Sequence, residues 1–510
     1  MLMGQTVPVV GESMPVVPTA TRVRDVPEIA VALFAASLAL VVFALLQCTG
    51  DATSHKYWAT QVSVACLLWY FVFVATCMRR LGTAYSFSNI YILGLGVFHL
   101  GLIVPVGLGI FSVPLITQDP WYERAGWYTA LALGSFGAGL ALSLRSTSRH
   151  AMATHKDQDA SRTLDAMWSY GFGLLLAALA GVVLMINQLG NIFQYSRLDL
   201  FSGAGDMRGF SLFTYTFPSA GLLLLIGARR KTHYVFAALV CVAGFALFMA
   251  TGYRTLALFP LLTGAVTWRR TGRKIPFWLA AGGAAFVLIA IPAILELRSS
   301  AATLSSFSAR SLGTAFSNAN AADTFKELGS SVGVLAKTLE RVPAVDPYRY
   351  GMSYVQAAAE MVPNLTTQSR RWDRDIVLSK SGAARDEALR SAGLSTWISY
   401  YILGDISFSL GYGAGFTAIG EPYVNFGLLG VFVFFGALGF ALGRLDQKPL
   451  LEHAGWLLFA CVGFWHFTNT VRNDLPNFTK PLAFIYVCLL IWRASSSVVR
   501  PAVRIDANGA

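Results

Sequence analysis

Residues 28–48 read EIAVALFAASLALVVFALLQC, one carboxylate followed by twenty residues without a charge. A helix of this length rises about 30 Å, which matches the hydrocarbon core of a membrane. The stretch therefore predicts a transmembrane helix.

The composition of the whole chain agrees with a membrane protein. Over all 510 residues, 55% are hydrophobic and 13% are charged, whereas soluble proteins have about 25% charged residues. The sequence predicts an all-α polytopic integral membrane protein.

Similar apolar runs recur along the chain, and we predict about twelve transmembrane helices. Nine of them lie in residues 28–295 and three in residues 422–492. Their approximate limits are 28–48, 58–77, 90–112, 125–144, 166–187, 211–228, 233–250, 255–268, 276–295, 422–443, 453–471 and 479–492.

The distribution of lysine and arginine predicts the orientation, because these residues are retained on the cytoplasmic side during insertion. With the N-terminus inside, the cytoplasmic segments hold 20 of the 39 basic residues and the short outer loops hold 7. Residues 1–27 and 493–510 are therefore predicted to be cytoplasmic tails. The net charge of +12 follows from this topology, so it gives no indication of nucleic-acid binding.

The other twelve basic residues lie in residues 296–421, which we predict to be a loop domain on the outer face of the membrane. Loops of that length without a role are uncommon. The pattern predicts helices in it around 320–340, 351–362 and 383–402.

Several chemistries have no support in the sequence. All six cysteines lie in or beside apolar runs, where a thiol behaves as a small hydrophobic group, so we expect no disulfide framework and no zinc site. No phosphate-binding P-loop, dinucleotide fingerprint or HExxH motif occurs. We therefore expect neither a metal nor a cofactor.

Arginines at the outer ends of the predicted spans are candidates for binding phosphate. Arg254 ends the tight Thr-Gly-Tyr-Arg connection at 251–254, so it and Tyr253 would lie at the outer membrane interface. Its planar guanidinium suits phosphate, although an arginine that only snorkels to the interface is the alternative. Arg298 follows Glu296 at the end of a span, and this spacing points the two side chains to different faces of a helix.

Other charged residues on the outer side are further candidates for substrate binding. Arg197 and Arg208 lie in a glycine-containing loop with two aspartates, and Arg371 lies in the run RRWDRD at 370–375. Each group has an alternative interpretation as a solvated, salt-bridged loop.

The segment GYGAGFTAIGEPYVNFGLLG at 411–430 is the most unusual part of the chain. Its glycines precede Glu421, and proline at 422 is well placed to begin a helix. Glu421 would then project at the interface beside Tyr423 and Asn425, where a carboxylate can act as a general base or hold a sugar hydroxyl. The alternative is a charge that complements the helix dipole. His466, alone in an apolar span, is a weaker candidate for substrate binding.

Together these features resemble the oligosaccharide repeat-unit polymerases (O-antigen, Wzy-type). The resemblance covers most of residues 160–445. It rests on many spans, one long outer loop late in the chain, the hairpin at 251–254, the loop segment GMSYVQAAAEMVPN at 351–364 and the glycine-rich element at 415–430.

The resemblance implies a GT-C-like glycosyltransferase of the bacterial inner membrane, working on the periplasmic face without metal or nucleotide sugar. Such enzymes transfer a growing glycan from undecaprenyl pyrophosphate to the next lipid-linked repeat unit. Arg254 and Arg298 would then serve the leaving pyrophosphate, with Arg208 as a further candidate, and Glu421 would be the base or would position the acceptor. A polysaccharide chain-length regulator is the implied partner, besides the lipid-linked oligosaccharide and the bilayer.

Two other functions remain open from the sequence. An O-antigen ligase would be expected to have a loop histidine, and none lies between Glu296 and Glu421. A flippase or transporter of lipid-linked saccharide would be expected to show repeated halves and charges near the membrane midplane. The charges here cluster at the outer interface instead.

Overall fold

The architecture is known from a computed structural model. It describes residues 27–49, 57–145, 157–189, 208–250, 254–278, 280–283, 285–286, 314, 317, 321–362, 374–409 and 412–498. Within these ranges the chain is helical and forms no β-strand.

The described residues of the first half form ten helices. They are α1 (Pro27–Thr49), α2 (Trp58–Leu81), α3 (Phe87–Leu100), α4 (Ile103–Gly107), α5 (Pro114–Gln118), α6 (Pro120–Arg145), α7 (Asp157–Leu189), α8 (Arg208–Gly227), α9 (Lys231–Ala250) and α10 (Arg254–Arg270).

The second half forms a layer of short helices followed by long ones. The short helices are α11 (Ala321–Gly329), α12 (Ser331–Arg341), α13 (Met352–Glu360), α14 (Arg374–Leu378), α15 (Gly382–Ser391) and α16 (Leu394–Ser409). We call these six helices and their connections, residues 321–362 and 374–409, the loop layer. After it come α17 (Gly420–Asp446), α18 (Ala454–Leu458), α19 (Phe464–Asn469) and α20 (Pro476–Val498).

Eight of the described helices are long and apolar enough to cross a membrane: α1, α2, α6, α7, α8, α9, α17 and α20. Each coincides with a predicted span, which confirms the polytopic class and eight of the twelve predicted positions. The full count of twelve is not confirmed.

Three of the other four predicted spans differ in form. In the region 90–112, α3 ends at Leu100 and only the short α4 follows. α10 has 17 residues, which is short for a complete span. A π-helical turn at Phe459–Gly463 separates α18 from α19 within 453–471. Most of the run 276–295 lies outside the described residues.

Contacts between helix ends show which ends lie together. The carboxylate of Asp446, at the end of α17, accepts hydrogen bonds from the backbone N–H groups of Phe87 and Ser88 at the start of α3. Arg270, at the end of α10, donates to the carbonyl of Lys448. Arg273 donates to two carbonyls at the end of α8. This end of the bundle, which we call the basic face, therefore holds the ends of α8, α10 and α17.

The loop layer covers the opposite end of the bundle. α12 packs on α6 and α3, and α13 packs on α20. The helices predicted around 320–340 and 383–402 are each present as two, because the chain breaks at Ser330 and again between α15 and α16. The helix predicted at 351–362 is α13.

The core of the bundle is built around α6, which is the most enclosed of the long helices. It crosses α17 closely: a Cβ atom on Gly139 would meet the carbonyl oxygen of Gly436, and one on Gly439 would meet that of Phe136. Small residues at such crossings let two backbones approach in a membrane. This crossing fixes α17, and with it Glu421, relative to the bundle.

Candidate functional site

The approach to α17 is a buried segment. Residues 416–419 are enclosed, and the backbone N–H of Phe416 donates to the carbonyl of Arg472 at 3.1 Å. The hydroxyl of Thr417 accepts from the N–H groups of Ile419 and Gly420, so two backbone donors at the start of the helix have a partner. α17 therefore begins at Gly420, and its first turns end in a break at Phe426 and Gly427.

Glu421 lies in the first turn of α17 with both carboxylate oxygens occupied. Oε1 accepts from the hydroxyl of Ser353 at 2.8 Å, and Oε2 accepts from the backbone N–H of Leu475 at 2.8 Å. The side chain is 5% exposed. Glu421 thus connects α17 with the loop layer and with the chain before α20. Its carboxylate does not line the cavity that is described below.

Asn425, one turn later, extends the same network. Its Nδ2 donates to the hydroxyl of Ser353 at 2.7 Å and to the carbonyl of Glu421 at 2.8 Å, and its Oδ1 accepts from the N–H of Gly351 at 2.8 Å. Asn425 and Ser353 are buried. Because buried polar groups are costly unless paired, this satisfied network holds the start of α13 firmly on α17.

A cavity of about 600 Å³ lies on the other side of this junction. It is formed by the connection between α12 and α13, the outward face of α13, the end of α15, and Trp397 and Val424. Its polar side chains are Asp346, Arg349, Gln356, Arg390 and Ser391, and its aromatic ones are Tyr348, Tyr350 and Trp397. A cavity of this size with a few converging polar groups is typical of a ligand site.

Arg349 is the enclosed cation of the cavity. Its guanidinium donates to the carbonyl of Ala392 at 2.6 Å, and its backbone N–H donates to the carbonyl of Val424 at 2.9 Å. Burial lowers the pKa of Arg349 to about 10, while Asp346, Asp474 and Glu421 act in the opposite direction. The group therefore keeps its charge at neutral pH.

Asp346 anchors the charged network on the same wall. It accepts from Nε of Arg341 at 2.8 Å and lies 3.9 Å from Arg390. Arg341 in turn stacks its guanidinium on Tyr401, 3.3 Å from the ring centre. The cavity therefore offers fixed donors and a fixed carboxylate, the groups that a polyhydroxylated ligand requires.

Two predicted substrate-binding residues, Tyr423 and His466, lie outside the lining of the cavity, and their role stays a prediction. The hydroxyl of Tyr423 donates to the carbonyl of Val342 at 2.8 Å, and its ring lies against Tyr128 and Tyr348. His466 is buried and stacks on Trp465, with ring centres 3.5 Å apart.

The predicted phosphate-binding arginines are described only in part. α8 and α10 both end at the basic face, so the backbones of their first residues, Arg208 and Arg254, lie toward the opposite end of the bundle. The side chains of both, and the whole of Tyr253, Arg197, Arg298 and Arg371, lie outside the described residues. Their roles stay predictions.

Sequence reasoning missed Arg349, Tyr350, Ser353 and Asp346. The signal that could have found them is the run DPYRYGMSY at 346–354, in which Arg349 lies between two tyrosines and Gly351 follows the second tyrosine. In the described residues, no three or more His, Cys, Asp or Glu side chains come together in a way that could hold a metal ion.

Comparison with known proteins connects this architecture with a family. The family described as O-antigen polysaccharide polymerase Wzy matches residues 32–500, which is nearly the whole chain. No curated protein and no solved structure is significantly similar. The match includes the spans, the loop layer and the cavity. The chain therefore belongs to the O-antigen polysaccharide polymerase Wzy family, a membrane family that polymerises lipid-linked oligosaccharide repeat units.

Proposed function

We propose that this protein lies in the bacterial inner membrane and joins undecaprenyl-pyrophosphate-linked repeat units into a surface polysaccharide on the periplasmic face. The observation that carries the proposal is the cavity at the junction of the loop layer and α17, because its polar and aromatic lining suits a saccharide. The basic face, with Arg79, Arg80, Arg229 and Arg270, lies at the other end and supports a cytoplasmic assignment for that end.

In the proposed reaction, a hydroxyl at the non-reducing end of a new repeat unit attacks the anomeric carbon of the growing glycan. The bond from that carbon to the pyrophosphate oxygen breaks as the new glycosidic bond forms, and the hydroxyl proton passes to a base. The leaving pyrophosphate is an anion, so nearby fixed cations lower the barrier. We assign this role to Arg254 and Arg298, with Arg208 and Arg197 as further candidates.

We assign Glu421 the positioning of the acceptor site rather than proton transfer. Both of its oxygens are engaged with Ser353 and Leu475, and Glu421 does not line the cavity. A general base must come within about 3 Å of the proton that it removes. A chain-length regulator remains a predicted partner.

The test is complementation of a strain that lacks this gene, with surface polysaccharide resolved on a gel. The wild-type gene should restore the long-chain ladder. Arg254→Ala should leave single repeat units attached, because the leaving group loses its cation. The matched control is Arg230→Ala on the basic face, an exposed arginine whose loss should leave the ladder intact.

Other outcomes would overturn the proposal. Full-length polymer that accumulates on its lipid carrier in the deletion strain would indicate a ligase. Unpolymerised units retained on the cytoplasmic side would indicate a flippase.

A further inference from the structure

The connection between α12 and α13 contains an unusual turn. Tyr350 has φ +47° and Gly351 has φ +89°, so two successive residues adopt left-handed backbone conformations. Glycine does this readily, but a residue with a bulky side chain rarely does. Strained residues persist only where the surroundings hold them, and they concentrate at ligand sites.

What holds this turn is the buried network of α17. The N–H of Gly351, directly after Tyr350, donates to Oδ1 of Asn425, and Nδ2 of Asn425 is fixed by Ser353 and the carbonyl of Glu421. Arg349, directly before Tyr350, donates its backbone N–H to Val424. Both neighbours of Tyr350 are thus tied to α17.

The turn presents an aromatic ring at the cavity. Tyr350 lines it and is 75% exposed. Its ring lies edge-on to Tyr348, with ring centres 6.3 Å apart. Asp346, Arg349 and Gln356 line the same cavity. An open aromatic face therefore stands beside fixed hydrogen-bonding groups.

We propose that Tyr350 is the stacking platform for a sugar ring of the repeat unit, and that Asn425, Ser353 and Glu421 are positioning residues that hold it in place. This inference rests on the proposed function. A sugar ring has one face lined by C–H bonds and a rim of hydroxyls. The tyrosine ring suits that face, and the carboxylate, guanidinium and amide suit the rim.

A purely apolar occupant such as the polyprenyl chain fits this site less well. Asp346 is paired with Arg341, and Arg349 donates to the carbonyl of Ala392, but each has further hydrogen-bonding positions. An apolar chain would cover these positions without offering them partners, which is costly. The polyprenyl chain is therefore an outcome of the test and not part of the proposal.

The binding test uses the full-length protein in nanodiscs. The probe is the repeat-unit oligosaccharide of the same strain, released from its carrier by mild acid, and affinity is measured by calorimetry. Tyr350→Ala should weaken binding about tenfold, whereas Tyr350→Phe, which keeps the ring, should bind as the wild type does. Tyr412→Ala, at an exposed tyrosine outside the cavity, is the matched control and should also bind as the wild type does.

The positioning role is tested by a double-mutant cycle on polymerisation kinetics. Asn425→Ala should raise the KM for the acceptor about as much as Tyr350→Ala does, with a smaller effect on kcat. If Asn425 acts through Tyr350, the double variant should be no worse than Tyr350→Ala alone. Additive effects would refute the positioning role.

The inference and the proposed function can fail separately. If the wild type polymerises repeat units and Tyr350→Ala binds the oligosaccharide as tightly as the wild type, the stacking role is wrong and the function stands. If binding of a polyprenyl phosphate without sugar is weakened by Tyr350→Ala and oligosaccharide binding is not, the occupant is the lipid. If the wild type does not polymerise repeat units at all, the proposed function itself is wrong. Equal thermal stability of the wild type, Tyr350→Ala and Tyr350→Phe excludes misfolding as the cause.

Discussion

At the scale of single residues, the junction between the loop layer and α17 depends on a few buried polar side chains. Glu421 receives two hydrogen bonds from parts of the chain that are far apart in sequence, one from Ser353 and one from the backbone of Leu475. Nearby, Asp474 accepts from the N–H of Ser395 at the start of α16. These carboxylates therefore connect the layer to the spans.

Substitution of Glu421 distinguishes a positioning residue from a general base. Glu421→Ala removes the acceptor for two buried donors, and we expect a loss of about 2 kcal/mol of stability with loss of polymerisation. Glu421→Gln keeps an acceptor oxygen and a similar shape, so we expect polymerisation within about tenfold of the wild-type rate. The measurement is the initial rate of repeat-unit coupling in nanodiscs. A general base would instead show a loss of about 10²–10⁴ in Glu421→Gln.

Arg349 gives a prediction about pH. Burial lowers its pKa to about 10, which still leaves it protonated at pH 7, and the charge is lost only as the pH rises through that value. A lysine in the same place begins from a lower intrinsic pKa and is lowered by burial in the same direction. We therefore expect Arg349→Lys to lose affinity for the oligosaccharide as the pH is raised from about 7 to 9, whereas wild-type affinity stays constant.

The control for this prediction is Arg390→Lys. Its side chain is 61% exposed at the same cavity, so solvent should keep the substituted lysine charged over the same interval. Equal pH profiles for Arg349→Lys and the wild type would show that the charge at this position is not used in binding.

At the scale of elements, the break in α17 is what turns its first six residues toward the loop layer. Gly427 has φ +62°, and a Cβ atom there would lie 3.1 Å from the hydroxyl of Tyr348. The α-helix resumes after it and crosses α6. The short segment Gly420–Asn425 can therefore face the cavity wall while the rest of α17 follows the bundle.

Substitution of this glycine should separate the two parts of α17. Gly427→Ala adds a side chain in a left-handed conformation and against Tyr348, so we expect destabilisation of about 1–3 kcal/mol and loss of long-chain polymer. Gly436→Ala in the same helix meets its nearest atom, the carbonyl oxygen of Ser135, at 3.8 Å and should be tolerated. The melting temperature of each variant is measured by heating and fluorescence-detection size-exclusion chromatography. Equal melting temperatures for Gly427→Ala and Gly436→Ala would contradict the prediction.

At the scale of the whole molecule, the two ends of the bundle have different chemistry. One end is covered by the loop layer and holds the cavity. The other gathers Asp446, Arg270 and Arg273, together with the pair of Arg229 and Asp165. Such asymmetry is typical of a membrane protein with a fixed orientation.

Cysteine labelling tests that orientation. Glu387 on α15 and Lys231 at the start of α9 are both exposed, at opposite ends of the bundle. In spheroplasts, a membrane-impermeant maleimide should label Glu387→Cys at once and Lys231→Cys only after lysis. The unsubstituted protein measures the background from its six native cysteines. The reverse pattern would refute a periplasmic loop layer.

Much of the architecture was predictable from local sequence. Eight predicted spans are present, because crossing a membrane requires a run of apolar residues that can be recognised without any partner. The form of α3 and of the α18–α19 region was not predictable in this way. Their hydrophobicity suffices for a span, but the breaks after Leu100 and at Phe459–Gly463 depend on packing against neighbours.

The cavity illustrates the opposite case. Glu421 and Asn425 could be recognised in the sequence because polar side chains at the start of an apolar span are unusual. The hydrogen-bond partners of Glu421 could not, because Ser353 and Leu475 lie 68 and 54 residues away from it in sequence. Tyr350 and Arg349 become site residues only because α17 holds their turn over the cavity.

The sequence alone specifies the membrane class, the positions of the spans and the distribution of charge, because these are properties of composition over about 20 residues. Which polar side chains meet, and which face a ligand, follows from long-range packing that composition does not encode.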